Sequence, residues 1–208
     1  MGSSSNQQQA SNSYILGLWG ADGYHRTSSI GLTSIYPELI KRFHLFLNNK
    51  FPLERIRLRV YSNNKQHKLS KTMSWFKGKL HFSKGTKLRH FAYQVYVNSR
   101  PLLRKFRQAV DNRLILPPDD LAAYFAGRFD GDGSVAKDLR TDFRIVYTNF
   151  AEANTDKQLL EKLGFDSRIY RYKKAGTHVI YVSRFESLRL CKALQPYSAK
   201  LKRLLVTP

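Results

Sequence analysis

The alternation of apolar and polar residues divides the chain into short strands and helices. In segment 55–61, Ile56, Leu58 and Val60 alternate with three arginines, which is the period-two pattern of a strand with one buried face. Five further stretches have strand character: 26–35, 90–98, 143–149, 168–173 and 177–183. Four stretches have helical spacing or helix boundary signals: 37–49, 101–110, 150–163 and 184–194. Interspersed helices and strands predict an α/β (α+β) fold.

A repeat relates the two halves of the sequence. Segment 14–23, YILGLWGADG, aligns with segment 124–133, YFAGRFDGDG, 110 residues later. The elements that follow each copy come in the same order, so each half is predicted to be α-β-β-α-β-β-α. We therefore expect two pseudo-symmetric halves, residues 14–115 and 121–208, joined by a linker at 116–120.

Three segments fall outside the repeat. Residues 1–13 are polar and rich in Ser, Gln and Asn, which predicts a disordered N-terminal tail. Residues 63–89 have no counterpart in the second half, and we expect an inserted basic hairpin or loop. In the linker, two prolines end one helix, and Asp119 or Asp120 could cap the next.

Small residues recur four positions apart in both copies of the repeat. The two pairs are Gly17 with Ala21 and Gly127 with Gly131. Small side chains at this spacing let two helices approach closely, and such packing would bring Asp22 and Asp132 together at the helix ends. Adjacent carboxylates repel unless a cation lies between them. The repeat therefore predicts divalent metal sites, which phosphodiester hydrolysis requires, although a single copy would indicate only a turn.

The charge of the chain indicates a polyanionic partner. Among 208 residues, 36 Lys and Arg stand against 15 Asp and Glu, a net charge of +21. Such a field attracts nucleic acid first, with a ribosomal-type RNA and an anionic membrane surface as alternatives. No apolar run reaches the roughly 18 residues of a membrane span. The single cysteine, Cys191, excludes an internal disulfide and a thiolate zinc cluster.

The two Asp-Gly segments resemble the paired signature motifs of the LAGLIDADG homing endonucleases in their single-chain, pseudo-dimeric form. The resemblance covers about residues 14–203. It implies curved antiparallel sheets that form a DNA-binding saddle and are joined by the packed motif helices. It also implies a monomer that cuts both strands of double-stranded DNA at a long non-palindromic site. The cofactor would be Mg²⁺ or another divalent cation such as Mn²⁺, with Ca²⁺ binding but not supporting cleavage.

The resemblance also assigns the metal site to particular residues. The last carboxylate of each motif is a metal ligand in this family, and these positions are Asp22 and Asp132. The preceding residues, Ala21 and Gly131, are included among the expected metal-binding positions. An enzyme of this kind would act inside the cell, in the compartment that holds the intron-bearing genome.

A basic residue often begins the final helix of each half in this family, near the scissile phosphate. The best matches are Arg113 and Lys200, which we expect to be catalytic. The sixth motif position, usually Asp, is Asp130 in the second copy and Gly20 in the first. This departure removes a helix-end contact from the first half.

The predicted DNA contacts are basic residues in or beside strands. Arg55, Arg57 and Arg59 place three cations on one face of segment 55–61, whereas an ordinary solvated face mixes signs. Residues 1–117 contain 20 of the 36 basic residues and only 4 acidic ones, so the first half should supply most of the electrostatic affinity. Tyr170 and Tyr172 could stack on bases or belong to the core. The expected contacts are Arg26, Arg55, Arg57, Arg59, Lys137, Arg144, Arg171 and Lys173.

Two other functions would use the same surface. A maturase would help an intron RNA to fold and splice, and RNA binding has no separate signature here. A DNA-binding regulator would have lost cleavage, although the presence of both motif aspartates argues against that loss.

Overall fold

The computed structural model describes residues 11–26, 28–62, 74–84, 91–135 and 142–204. The first half contains, in order, helix α1 (Asn12–Asp22), strands β1 (Gly23–Tyr24) and β2 (Ser29–Ser34), helix α2 (Pro37–Asn48), strands β3 (Arg57–Ser62), β4 (Lys79–Lys84) and β5 (Ala92–Asn98), and helix α3 (Arg100–Asp111). The second half contains helix α4 (Pro118–Asp132), strands β6 (Gly133–Val135) and β7 (Phe143–Tyr147), helix α5 (Phe150–Lys162), strands β8 (Ser167–Tyr172) and β9 (Thr177–Val182), and helices α6 (Arg184–Leu194) and α7 (Ala199–Leu204).

Each half is built on one sheet. The first sheet has the strand order β1-β2-β5-β3-β4, and the second has the order β6-β7-β9-β8. Four strands of the first sheet therefore match the four of the second, and these pairs are antiparallel in both. The predicted α+β class and the repeated order of elements are confirmed. The saddle-like curvature of the sheets stays a prediction.

Strand β4 is an addition to the repeat and lies in the basic insert. It pairs in parallel with β3, with Arg57 opposite Lys79 and Ser62 opposite Lys84. The prediction of an inserted hairpin or loop is wrong for residues 79–84, which instead extend the edge of the first sheet. Residues 63–73 and 85–90 of the insert lie outside the described residues. Leu80 and Phe82 alternate with polar residues in β4, but the apolar side is incomplete, since Phe82 is 55% exposed at this edge of the sheet.

The motif helices α1 and α4 pack backbone to backbone. A Cβ atom added to Gly17 would lie 1.9 Å from the carbonyl oxygen of Tyr124, and one added to Gly127 would lie 2.1 Å from that of Tyr14. These two contacts are pseudo-symmetric, and both are too short for any side chain. A Cβ on Gly131 would lie 2.3 Å from the Cβ of Ala21. The prediction that small residues bring the two helices together is confirmed.

The N-terminal boundary of the fold differs from the predicted one. The Ser11 hydroxyl accepts a hydrogen bond from the Tyr14 amide at 3.2 Å, which caps the start of α1. Helix α1 therefore begins at Asn12, inside the segment predicted to be a disordered tail. Residues 1–10 of that segment lie outside the described part of the chain.

The predicted linker at 116–120 is shorter than expected. Helix α4 begins at Pro118, with Pro117 at the cap position and no side-chain capping bond. Asp119 and Asp120 thus lie in the first turn and do not cap the helix, although acidic residues there still favour the helix dipole.

Apolar side chains from both halves form one buried cluster that includes the motif helices and the inner faces of both sheets. Leu18, Leu32, Leu58, Phe125 and Ile180 are completely buried within it. The face of each sheet that points away from this cluster is called its open face below. Within the described ranges, no helix combines the length and the apolar character needed to cross a membrane.

Candidate metal and DNA-binding site

The two motif aspartates meet at the ends of the packed helices. Asp22 is the last residue of α1, and Asp132 is the last residue of α4. An ideal Cβ on Gly131 would lie 3.6 Å from the carboxyl carbon of Asp22, which shows how closely the second motif approaches that side chain. Burial and then repulsion by Asp132 raise the pKa of Asp22 to about 6. Burial also raises the pKa of Asp132. The expected convergence of the carboxylates is therefore present.

This arrangement fits a divalent cation by its chemistry. Mg²⁺ and Ca²⁺ prefer oxygen ligands, and a cation between the carboxylates would remove their repulsion. In the described ranges, no group of three or more His, Cys, Asp or Glu side chains is placed to hold a metal ion. Further ligands would therefore have to be backbone oxygens, water or the substrate itself.

Lys200 lies at the start of α7 and reaches the end of α4. Its Nζ donates to the carbonyl oxygens of Phe129 at 3.3 Å, Gly131 at 3.0 Å and Gly133 at 3.4 Å. A cation at the C-terminal end of a helix is favoured by the helix dipole. Burial lowers the pKa of Lys200, while Asp130, Asp22 and Asp132 oppose that shift. The structure thus places Lys200 beside both aspartates.

Gly131 and Ala21, the residues before the two motif aspartates, were also expected to bind metal. The carbonyl oxygen of Gly131, expected to be a metal-binding position, accepts a hydrogen bond from Lys200. Ala21 adjoins Asp22 and packs against Gly131, and its metal-binding role stays a prediction.

Arg113 has a different environment from the one that the sequence suggested. It begins a short 3-10 turn, Arg113–Ile115, after α3 and is buried. Its Nε donates to Asp156 Oδ1 at 2.7 Å, Nη1 to the Val110 carbonyl at 2.7 Å, and Nη2 to the Glu152 carbonyl at 3.3 Å. All three nitrogens are engaged inside the protein, which argues against the predicted role at the scissile phosphate. The family pattern matched both Arg113 and Lys200, but in the described part of the first half a 3-10 turn stands where the second half has α7.

Asp156 joins Arg113 to a second buried arginine that sequence reasoning missed. Tyr124 and Tyr147 donate their hydroxyls to the Asp156 carboxylate at 3.1 and 2.9 Å. Arg128 Nε lies 3.2 Å from Asp156 Oδ2, and the guanidinium lies 4.6 Å from the centre of the Tyr147 ring. The sequence does contain a sign of this role, because Arg128 is a charged residue at the motif position where the first copy has the apolar Leu18.

Arg128 also approaches the aspartate pair. A Cβ on Gly20 would lie 3.1 Å from Arg128 Nη1, so the guanidinium lies against α1 near its end. After burial, Arg128 has the largest influence on Asp132, whose pKa it lowers. It also lowers the pKa of Asp22. The end of the motif pair therefore contains two carboxylates and two cations, Arg128 and Lys200.

The open face of the first sheet holds a network of polar side chains. The register places Arg57 and Arg59 of β3 beside Tyr96 and Gln94 of β5, and Gln94 beside Thr33 of β2. The Arg59 guanidinium donates to the hydroxyls of Tyr61 at 3.3 Å and Tyr96 at 3.4 Å and lies over the Tyr96 ring at 5.6 Å. The Tyr61 hydroxyl donates to Gln94 at 3.1 Å, and the Gln94 amide donates to Thr33 at 3.1 Å. The shared face predicted for the two strand arginines is confirmed.

Arg55 and Arg26 lie outside the strands of the first half. Arg55 ends the 3-10 turn Leu53–Arg55, and its guanidinium donates to the Asn98 carbonyl at 3.1 Å and lies over the Phe51 ring. The expectation that Arg55 continues the arginine face of β3 is therefore wrong. Arg26 follows β1 and is exposed.

The open face of the second sheet is more aromatic. The register puts Arg144 of β7, Tyr181 of β9 and Arg168 of β8 side by side. Tyr170 and Tyr172 are 48% and 46% exposed on this face, so they are not core residues. The same alternation puts Arg171 on the opposite face, which argues against its predicted DNA contact. Lys173 lies in the exposed turn after β8, and Lys137 lies outside the described residues.

The family model of the LAGLIDADG-like domain matches residues 9–111 and 119–203. No curated protein sequence gives a significant match. The structure is similar to that of I-DmoI in complex with DNA and Mn, at 16% identity over 88% of this chain and 94% of that chain, with a TM-score of 0.60. It is also similar to the homing endonuclease I-WcaI bound to its DNA recognition sequence, at 13% identity over 100% of this chain and 96% of that chain, with a TM-score of 0.62.

A third similar structure is the N-terminal LAGLIDADG domain of DUF199/WhiA. The identity is 13% over 96% of this chain and 90% of that chain, and the TM-score is 0.55. At such identities these likenesses establish a common fold, with two packed motif helices in one chain.

Proposed function

The chain belongs to the family of LAGLIDADG-like domains, and on that premise we propose that it is a site-specific endonuclease that cuts both strands of DNA with divalent metal ions. The observation that carries the proposal is the meeting of Asp22 and Asp132 at the ends of α1 and α4. A sequence with a net charge of +21 supplies the attraction to DNA.

The similar structures support the choice of substrate and cofactor. I-DmoI has been crystallised with DNA and Mn and with DNA and Ca, a variant of it with its target DNA and Mg, and I-WcaI is known bound to its DNA recognition sequence. We infer that double-stranded DNA is the substrate here, that Mg²⁺ or Mn²⁺ supports cleavage, and that Ca²⁺ binds without supporting it. One chain supplies both carboxylates, so a monomer is expected to be the active unit.

The residues of the site divide the chemical work. A bound divalent ion would supply an acidified water and charge neutralisation at phosphorus. Asp22 and Asp132 would hold such ions, and Lys200 places a positive charge beside them, where it can attract the phosphate. The open faces of the two sheets would bind DNA through residues such as Arg59 and Arg144.

The test of this function begins with the identification of the target. The protein is incubated with a randomised DNA library and Mg²⁺, and the cut ends are sequenced. On the target so found, Asp22→Asn and Asp132→Asn should abolish double-strand cleavage, while binding in Ca²⁺-free buffer persists. The matched control is Asp119→Asn, since Asp119 lies on α4 with Asp132 but in its first turn. Either motif variant cutting both strands at the parental rate would contradict the proposal.

A further inference from the structure

The buried ion cluster around Asp156 contains more positive charge than that carboxylate requires. Asp156 is fully buried and already accepts hydrogen bonds from Arg113, Tyr124 and Tyr147. Arg128, with 4% of its side chain exposed, is a second cation at the same carboxylate. Its Nε lies 3.2 Å from Asp156 Oδ2 but finds no partner with hydrogen-bond geometry among the described residues. Because two arginines face one carboxylate, this buried cluster has a net charge of about +1.

The position of Arg128 directs this excess charge toward the motif ends. Arg128 precedes Asp132 by four residues on α4, so the two side chains lie on the same side of the helix, one turn apart. Its Nη1 lies against Gly20, two residues before Asp22 on α1. The guanidinium is thus packed between the last turns of both motif helices. Arg113, the other partner of Asp156, donates instead to backbone carbonyls at Val110 and Glu152.

A buried charge is unfavourable unless another charge compensates it. Asp156 is compensated by Arg113, and the two motif carboxylates are the remaining partners for Arg128. Arginine suits this position because it keeps its charge when buried, whereas a lysine would lose its proton more readily. Gly20 suits it because a larger residue would displace the guanidinium.

We propose that Arg128 is a positioning residue for the aspartate pair, a buried counter-ion that holds Asp22 and Asp132 together before divalent cations bind. The description of the pair as a metal site rests on the function proposed above. The consequences of the counter-ion, however, appear in the free protein without DNA.

The test compares Arg128→Gln with the matched variant Arg113→Gln. Each change removes one arginine from Asp156 and leaves an amide in its place. Without metal, Arg128→Gln should lower the midpoint of thermal unfolding by about 5 °C, because the two carboxylates then repel with only Lys200 left to compensate them. Saturating Mn²⁺ or Ca²⁺ should restore at least half of that loss. Arg113→Gln should also lower the midpoint, but its gain on adding metal should equal that of the parent.

A second measurement covers the case in which Arg128→Gln does not fold. Neutralising one carboxylate by Asp22→Asn should raise the unfolding midpoint more in the Arg128→Gln background than in the parent or in Arg113→Gln. A double variant Asp22→Asn with Arg128→Gln that folds when the single variant does not would give the same support. A double variant that stays unfolded would overturn the proposal, as would equal effects of metal and of Asp22→Asn in all backgrounds. Absence of DNA cleavage by the parent would remove the endonuclease function and leave these outcomes unaffected.

Discussion

The two motif helices pack symmetrically, but their C-terminal ends differ in the charge of the side chain found at the sixth motif position. On α4, the sixth motif residue is Asp130, which is fully buried and accepts hydrogen bonds from the hydroxyls of Tyr14 and Ser198 and from the amides of Ala199 and Lys200. On α1, the same position is Gly20, and the space beside it is taken by Arg128 from the other helix. One half thus places a carboxylate at this point, and the other accommodates a cation.

The difference explains why only one half delivers a basic residue to the carboxylates. Asp130 holds the first residues of α7 by their amides, and this anchoring puts Lys200 at the end of α4. Gly20, at the matching point of the first half, has no side chain that could accept hydrogen bonds from a helix. A 3-10 turn forms there, and Arg113 turns inward to Asp156. The helix packing is pseudo-symmetric, while one residue makes the chemistry of the two helix ends different.

The largest expected effect follows from removal of the Asp130 carboxylate. Asp130→Ala would leave buried donors without an acceptor and release α7, so we expect the free energy of unfolding to fall by about 4 kcal/mol. Gly20→Ala, the matched change at the other helix end, should alter it by at most about 1 kcal/mol, since the Arg128 side chain can shift and alanine favours a helix. Urea denaturation measures both. A loss below about 1 kcal/mol for Asp130→Ala would show that α7 is held by other contacts.

The next prediction concerns the two basic residues that the sequence placed in separate active sites. Lys200 lies beside both aspartates, so Lys200→Met should slow the cutting of both strands by about a hundredfold. Arg113→Met should reduce stability but leave the cleavage rate near that of the parent at temperatures where the variant is folded. Strand-specific rates on a labelled duplex distinguish the two variants. If Lys200→Met slowed one strand and Arg113→Met the other, the inward orientation of Arg113 would be irrelevant in the DNA complex.

The motif helices could be predicted from the sequence because their packing depends on local composition. Glycines and alanines four residues apart, followed by Asp-Gly, determine both the close approach and the meeting of Asp22 and Asp132. The buried and open faces of a strand could be predicted equally well where the alternation was strict, as in β3.

Contacts between residues far apart in sequence could not be predicted in this way. Asp156 pairs with Arg113 and Arg128 only in the folded chain, so the residues that flank each arginine in sequence do not indicate the ion pair. The parallel pairing of β4 depends on the edge of β3 that is not paired with β5, and the local sequence does not reveal that edge. Arg171 was expected to contact DNA, but the basic and aromatic residues of β8 obscure the alternation, and only the register with β9 shows that Arg171 lies on the face opposite Tyr170 and Tyr172.

The open faces of the two sheets offer a further comparison. Arg59, held among Tyr61, Gln94 and Tyr96, is presented in a fixed geometry, so Arg59→Ala should cost roughly 1–3 kcal/mol at one base pair if it reads a base. Arg144→Ala, on the aromatic second sheet, should instead reduce the slope of affinity against salt by about one, as expected for a phosphate contact. Competition binding at several salt concentrations separates these effects. The control is Arg171→Ala on the opposite face, and a larger effect there than at Arg59 would contradict the assignment of the open faces.

The smallest expected effect concerns the way the insert is fastened to the first half, for which the second half has no counterpart. The His44 ring on α2 lies 5.1 Å from the ring centres of both Trp75 and Phe76, and neither of its nitrogens has a hydrogen-bond partner among the described residues. Burial lowers the pKa of His44 below its usual value of 6.5. The unfolded chain therefore takes up a proton at this residue more readily than the folded protein. The stabilising contribution is complete above pH 6.5 and is lost as the pH falls below that value.

We expect the free energy of unfolding of the parent to decline more steeply between pH 6.5 and 5 than that of His44→Phe. The control is His25→Gln, a change at an exposed histidine of the same half, which should follow the parent. Coincident slopes for the parent and His44→Phe would show that the histidine can be protonated within its aromatic surroundings at no cost to the fold.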